Sequence, residues 1–433
     1  MAKRKASATA LALTSATLVD FAPARLRRAT VIVEAGQIAA LAAPSDPLPA
    51  GAETLDCAGL LLLPGFVCAH THLYSTLARG MPPPREPPAT FTQILERVWW
   101  KLDRALDAET IELSALVGAL EAARAGTTTL VDHHASPGCL DGSLDRVAGA
   151  LEQVGLRGVL CYEASDRNGQ DEGRAGAREN DRFLTKLAKE PRPLLRGLVG
   201  AHAAFTLSDA TAELLADLAM RHKSGIHIHL AEDAIDAHKN GLSTVSWLSE
   251  RGLLGPRALL AHAVHVSDED AAKIREAGAH VVHNPRSNAN NAVGYARPSR
   301  FGDRLLVGTD GIGADMRKET RAAFFAARDH HDPLDAPAAL ARNRAWAAWQ
   351  FNRSFAIEPG AAADLIALDY RSPTPLDESN LAGHLLFGLP EAEVRHVLVE
   401  GRLVLKAGRH PNLDEAAIYA RAREAARRLW SRL

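Results

Sequence analysis

The sequence predicts an α/β protein: a (β/α)8 TIM-like barrel with a small β-sandwich domain built from both chain ends. Three observations carry that expectation. Residues 1–64 and those beyond about 357 read as short strands broken by Gly, Pro and Asp. Between them, short apolar runs alternate with helix-length amphipathic segments, the pattern of βα units. The runs number eight, the count that closes such a barrel. The expected domains are therefore 1–64 with 358–433, and 65–357.

The elements follow in order. Lys3-Arg4-Lys5 and the stretch Ala6 to Val19 faintly resemble a secretion signal. Ser7, Thr9, Thr14, Ser15 and Thr17 interrupt it, and it runs straight into Asp20 and the strand-like Ala29-Thr30-Val31-Ile32-Val33. It is expected to open a sheet instead, continued by Gln37–Leu41 and Gly59–Leu63. Barrel strands are expected at Phe66–Ala69, Thr127–Val131, Gly158–Tyr162, Arg196–Ala201, Gly225–Leu230, Ala258–Ala261, His280–His283 and Leu305–Gly308. Helices such as Ala108–Ala123, Thr211–Met220, Val245–Arg251 and Asp268–Glu276 lie between them. Strands return at Ala363–Asp369 and at Val397–Leu405 with a Glu400-Gly401 turn. A helix over Asp414–Trp430 ends the chain, expected to pack on its own domain.

Composition excludes several classes of function. Net charge is −2 with Lys and Arg dispersed, which gives no footprint for nucleic acid. No apolar run reaches the roughly 20 residues of a membrane span. The 4 cysteines are far apart without a Cys-x-x-Cys pair, as in a reducing, cytoplasmic compartment.

The chemistry gathers at strand ends, where barrel active sites form. The first strand ends in His70-Thr71-His72; with period-two alternation both imidazoles face one side. The fifth offers His227, His229 and Glu232, the sixth His262 and His265, the eighth Asp310 before Gly311. Each alone has an ordinary explanation, a hydrogen-bonded core histidine or a turn aspartate. Four strand ends of one barrel offering ligand types together point to zinc or another divalent transition metal.

These motifs, with Pro64-Gly65-Phe66, Gly126-Thr127-Thr128-Thr129, Asn284-Pro285-Arg286-Ser287-Asn288 and Ile357-Glu358-Pro359-Gly360, resemble the amidohydrolase superfamily. Within it the resemblance is to the mononuclear metal-dependent deaminases and chlorohydrolases. It is closest to the SsnA group of aminohydrolases, through Trp99-Trp100-Lys101-Leu102-Asp103-Arg104 and Asp132-His133-His134-Ala135-Ser136-Pro137. The resemblance implies one divalent ion per chain, zinc with iron or manganese as alternatives, held by His70, His72, His229 and Asp310. It selects His229 over His227 through the His-x-x-Glu pattern and gives catalytic roles to Glu232, His262 and Asp310. A bound ion lowers the pKa of water from about 15.7 toward about 7. Glu232 and Asp310 then accept its proton, Glu232 protonates a ring nitrogen, and His262 steadies the developing oxygen or orients the attacking one. His202 matches a pocket histidine of the family. Arg286, Asn288 and Asp315 lie beyond strands seven and eight, where they could meet ring carbonyls or amines. A homodimer acting on a small heterocyclic substrate is implied as well.

The expected activity is hydrolytic deamination of a purine, pyrimidine or related N-heterocycle. Ring opening of a cyclic amide and hydrolytic dechlorination are the alternatives, with a non-catalytic scaffold behind them. Binuclear ring openers usually need a lysine at the end of strand four, and Leu195–His202 has none. The scaffold reading requires gaps in the ligand set, and none is visible. Ile312-Gly313-Ala314-Asp315 after strand eight and Ala289-Asn290-Asn291 after strand seven depart from many relatives, so their substrates cannot be copied over.

Overall fold

The structure, a computed structural model, describes residues 10–433. Lys3-Arg4-Lys5 lies outside the described residues. The chain then enters a strand rather than a helix. The opening strands are β1 (Leu11–Phe21), β2 (Ala24–Glu34), β3 (Gln37–Ala42), β4 (Glu53–Asp56) and β5 (Leu61–Pro64). The long β1 is bulged between Leu13 and Ala16, with Ser15 at φ 59°. The bulge redirects the strand, so that its first half pairs with β4 and its second with β5.

The central strands are β6 (Phe66–Thr71), β7 (Thr127–His134), β8 (Arg157–Tyr162), β9 (Leu195–Gly197), β10 (Val199–Ala203) and β11 (Ile226–Leu230). A two-residue hairpin, β12 (His238–Lys239) and β13 (Leu242–Ser243), precedes β14 (Leu259–His262), β15 (His280–His283) and β16 (Leu305–Val307). Most of these strands are buried along their whole length, as expected of parallel strands covered on both faces by helices. Helices Ala108–Arg124, Asp209–Arg221, Thr244–Glu250 and Asp268–Glu276 stand where the amphipathic pattern puts them. Each begins at an Asp or Ser whose side chain accepts a hydrogen bond from a first-turn amide.

One expectation needs correction. The fourth central strand is not continuous: it breaks at Leu198. β9 pairs with β8, while β10 pairs with β11. The parallel strands therefore form two sheets, β6-β7-β8-β9 and β10-β11-β14-β15-β16. Single parallel bridges, Ala164–Ala201 and Thr71–Asp310, join their edges.

β17 (Leu365–Asp369), β18 (Glu393–Val399) and β19 (Arg402–Lys406) complete the chain's strands. They join the opening strands in a mixed sheet ordered β19-β18-β17-β5-β1-β2-β3, with β4 beside β1. Both chain ends thus build one sheet, as expected, but its pairing is a single sheet rather than two facing ones. Arg157, fully buried at the start of β8, ties this sheet to the central strands. Its Nε donates to Asp364 Oδ2 at 2.5 Å, and Nη2 reaches Asp364 and Glu400. The last helix, Glu415–Trp430, also crosses over. Arg124 donates to Tyr419 (2.8 Å), Arg428 to Glu109 (2.7 Å) and the Trp430 indole to the Leu77 carbonyl (2.9 Å). It therefore rests on the helix Ala108–Arg124 and not on its own sheet. Among the described residues no helix is long and apolar enough to cross a membrane.

Candidate metal centre and active site

The C-terminal ends of the central strands converge on one point. His70 closes β6, and its carbonyl accepts from the amides of Thr309 (2.9 Å) and Asp310 (3.1 Å). Gly308 makes this approach possible, because a Cβ there would stand 2.9 Å from His70 Cβ and 2.6 Å from Asn284 Oδ1. Ala231, His262, Ala263 and Asp310 all have positive φ, 44° to 74°. Such backbone costs of order 1–3 kcal/mol per residue and collects at functional sites. Here it turns the side chains following three strands inward.

Potential ligand atoms of His70, His229, His262 and Asp310 all lie within 4.8 Å of one another. His72 Nε2 is 3.2 Å from His229 Nε2 and 3.0 Å from Asp310 Oδ1. His70 Nε2 and His262 Nε2 are buried with no hydrogen-bond partner among the described residues. Imidazole nitrogens and a carboxylate oxygen facing each other, some of them orphaned, are a donor set that a divalent cation satisfies. Burial opposes protonation of His72, but Asp310 and Glu163 raise it to about 9 in the absence of an ion, while two other groups are held in their ligating forms. Burial drives His70 down to about 3, so it stays a neutral ligand. Burial opposes ionisation of Asp310, but His70 and His72 hold it well below the usual carboxylate range.

A second layer orients these groups. His70 Nδ1 shares a hydrogen bond with His227 Nε2 at 2.9 Å, and His72 Nδ1 donates to the His133 carbonyl at 2.5 Å. His227 thus supports the His70 ring from below. Ser287 donates to Asp310 Oδ2. His262 Nδ1 meets Asn288 Oδ1 at 2.8 Å, which places its proton on Nδ1 and turns a bare Nε2 to the site. That Nε2 lies 3.6 Å from Glu232 Oε2 and 3.9 Å from Asp310 Oδ2. Glu232 accepts from Asn291 Nδ2 (3.1 Å), and burial raises its carboxyl above the ordinary value. His265 is engaged by the Val293 carbonyl (2.8 Å), away from this point.

Above the point lies a cavity of about 600 Å³, counting the space open to solvent at its mouth. His72, His229, Glu232 and Asp310 form its floor, and Phe91, Leu95, Trp99 and Trp100 form one wall. The helix from Phe91 to Ala105 widens into a π-turn over Leu95–Trp99, a distortion frequent at functional sites. Of the four expected substrate contacts, His202 lines the cavity, and the other three do not. Arg286 pairs with Glu319 and donates to the Ile312 carbonyl (2.9 Å). Asn288 serves His262. Asp315 caps the helix Met316–Asp329 by accepting from the amides of Arg317 and Lys318. Sequence reading passed over Glu163, Arg167, Ser287 and Asn291, all on the cavity wall. Glu163 directly follows β8, so the rule that picked out the other strand ends also points to it.

Parallel strands wrapped by helices, with imidazoles and a carboxylate meeting at their C-terminal ends, define a metal-dependent hydrolase type of site. The amidohydrolase family pattern matches residues 61–404, and the chain belongs to that family. Among its relatives is a 5'-deoxyadenosine deaminase of Methanothermobacter thermautotrophicus, 30% identical over 93% of this chain and 95% of the relative. A 5-methylthioadenosine/S-adenosylhomocysteine deaminase of Desulforudis audaxviator is 29% identical over 92% and 94%. In structure the chain resembles an adenosine deaminase from Xanthomonas campestris with bound zinc, at TM-score 0.84 and 25% identity over 97% and 98% of the two chains. An atrazine chlorohydrolase from Arthrobacter aurescens shares the fold, at TM-score 0.78 and 20% identity over 96% and 100%.

Proposed function

We propose that this protein is a zinc-dependent hydrolytic deaminase of a purine-type N-heterocycle, with adenosine-like compounds the first to test. The observation that carries it is the placement of Glu232, His262 and Asp310 around one point beside His70, His72 and His229. The names and near full-length coverage of the deaminase relatives support the same reading. The two parallel sheets are read as one (β/α)8 barrel over 65–357, and 1–64 with 358–433 as the flanking β domain. The bridges at both sheet edges support this. A cytoplasmic homodimer belongs to the reading as well.

When bound, the ion brings water within reach of deprotonation at neutral pH. Glu232 Oε2 takes the attacking water's proton and passes it to the ring nitrogen beside the reacting carbon, which its raised carboxyl pKa favours. His262 Nε2, left bare by the Nδ1 contact with Asn288, accepts a hydrogen bond from the water and so orients the attacking oxygen. Asp310 holds a second proton for the departing amine, its other oxygen fixed by Ser287. The buried site keeps bulk water from competing.

The test is an ammonia-release screen of zinc-loaded protein over adenosine, 5'-deoxyadenosine, 5-methylthioadenosine, aminopyrimidines and pterins. Ammonia formed in step with substrate loss is expected. A ring-opened product without ammonia would contradict deamination.

A further inference from the structure

One cavity wall carries a buried carboxylate that no protein donor satisfies. Glu163 is 5% exposed and lines the cavity. Its Oε2 has no hydrogen-bond partner among the described residues; His133 Nδ1 and His72 Nδ1 stand at 3.5 and 4.0 Å. Its Oε1 faces His202 Nε2 at 3.6 Å and Arg167 Nη1 at 3.9 Å, both beyond hydrogen-bonding distance. Arg167 is committed elsewhere. Its Nη2 donates to the buried Asp103, and its guanidinium lies over the Trp100 ring at 5.3 Å. The Asp103–Arg167 pair is therefore neutral as a unit, and Glu163 remains as uncompensated acceptor capacity.

Leaving a buried carboxylate without donors costs several kcal/mol in general, and such groups call for an explanation. Resting on the deaminase reading, we infer that Glu163 is a substrate-binding, specificity-determining residue that accepts N–H or O–H donors of the substrate. The ligand class follows from the charges. With Arg167 paired to Asp103, an incoming phosphate or carboxylate on this wall would meet Glu163 with no unpaired guanidinium beside it. The wall suits a neutral or cationic, donor-bearing heterocycle and rejects anionic derivatives. The donors come either from the ring and its amino groups or from sugar hydroxyls.

The test is equilibrium binding to zinc-loaded protein carrying Glu232→Gln to block turnover, with and without Glu163→Gln or Glu163→Ala. Adenine, adenosine and 5'-AMP are the probes. Zinc content and melting temperature of each variant guard against a folding defect. Glu163→Ala is expected to weaken adenine or adenosine at least tenfold, while Glu163→Gln narrows the gap between adenosine and 5'-AMP at least tenfold. Weakening for both neutral probes assigns the donors to the ring; weakening for adenosine alone assigns them to the sugar. Dissociation constants within twofold for all three probes, a uniform loss for all three, or no binding of adenine or adenosine without the Glu163 change would overturn the inference. Glu163-dependent binding without ammonia release from the protein with Glu232 intact would sink the deaminase reading alone. Ammonia release with binding indifferent to Glu163 would sink this one alone.

Discussion

The His70–Asp310 side of the cavity and the Glu163–Arg167 side are equally buried, yet they handle polar groups differently. On the first side, five potential ligands crowd together, and a further shell of His227, His133, Asn288 and Ser287 fixes four of them. On the second, one ion pair engages the Arg167 guanidinium and leaves a carboxylate facing the cavity. Convergent donors with orphaned nitrogens suit a cation that stays. A single unsatisfied acceptor suits a ligand that comes and goes. The difference teaches that burial alone does not mark a role; what each polar group lacks does.

Substitutions can break this contrast, starting with the largest effect. Glu232→Gln should keep its metal and lose about 10²–10⁴-fold in turnover, the usual worth of a positioned proton carrier. Metal analysis alongside steady-state rates checks both halves, and full activity would remove Glu232 from the mechanism. Arg157→Ala leaves Asp364 and Glu400 without their buried partner and should cost about 3–5 kcal/mol of stability. Denaturant unfolding measures this. An unchanged midpoint would mean that the flanking sheet is held by other contacts. His227→Ala should weaken metal binding about 10–100-fold, as loss of a residue that orients a ligand does. Competition with a chromophoric chelator reads it, and unaltered affinity would make His227 plain core packing. Asp315→Ala removes a helix cap and its ion pairs with Arg317 and Lys318, with a loss of about 1 kcal/mol and no change in KM. A raised KM would return Asp315 to the substrate site.

The metal side was legible in the sequence because it needs particular residue types at particular strand ends. His70-Thr71-His72 shows it in three residues, and His229, Glu232, His262 and Asp310 repeat the same placement. Strand positions were legible through continuous apolar runs, but the break at Leu198 was not. Arg196-Gly197-Leu198-Val199-Gly200-Ala201 reads as one run, and which neighbour each half pairs with depends on the distant strands β8 and β11. Glu163 follows β8 and was open to the same strand-end rule, but its unpaired state was hidden for a similar reason. Glu163, Arg167 and Asp103 are ordinary charged residues in the chain, and only folding reveals that one of them is left without a partner. Arg286 and Asp315 show the opposite case: near the site in sequence, but drawn off by Glu319 and by a helix terminus.

The most direct test of the central claim is a metal titration of chelator-stripped protein, followed by ammonia release from the best substrate. The account predicts no release from the stripped protein, a linear rise with added zinc, and a plateau at one ion per chain. Full activity without metal, or a plateau at two ions, would contradict it.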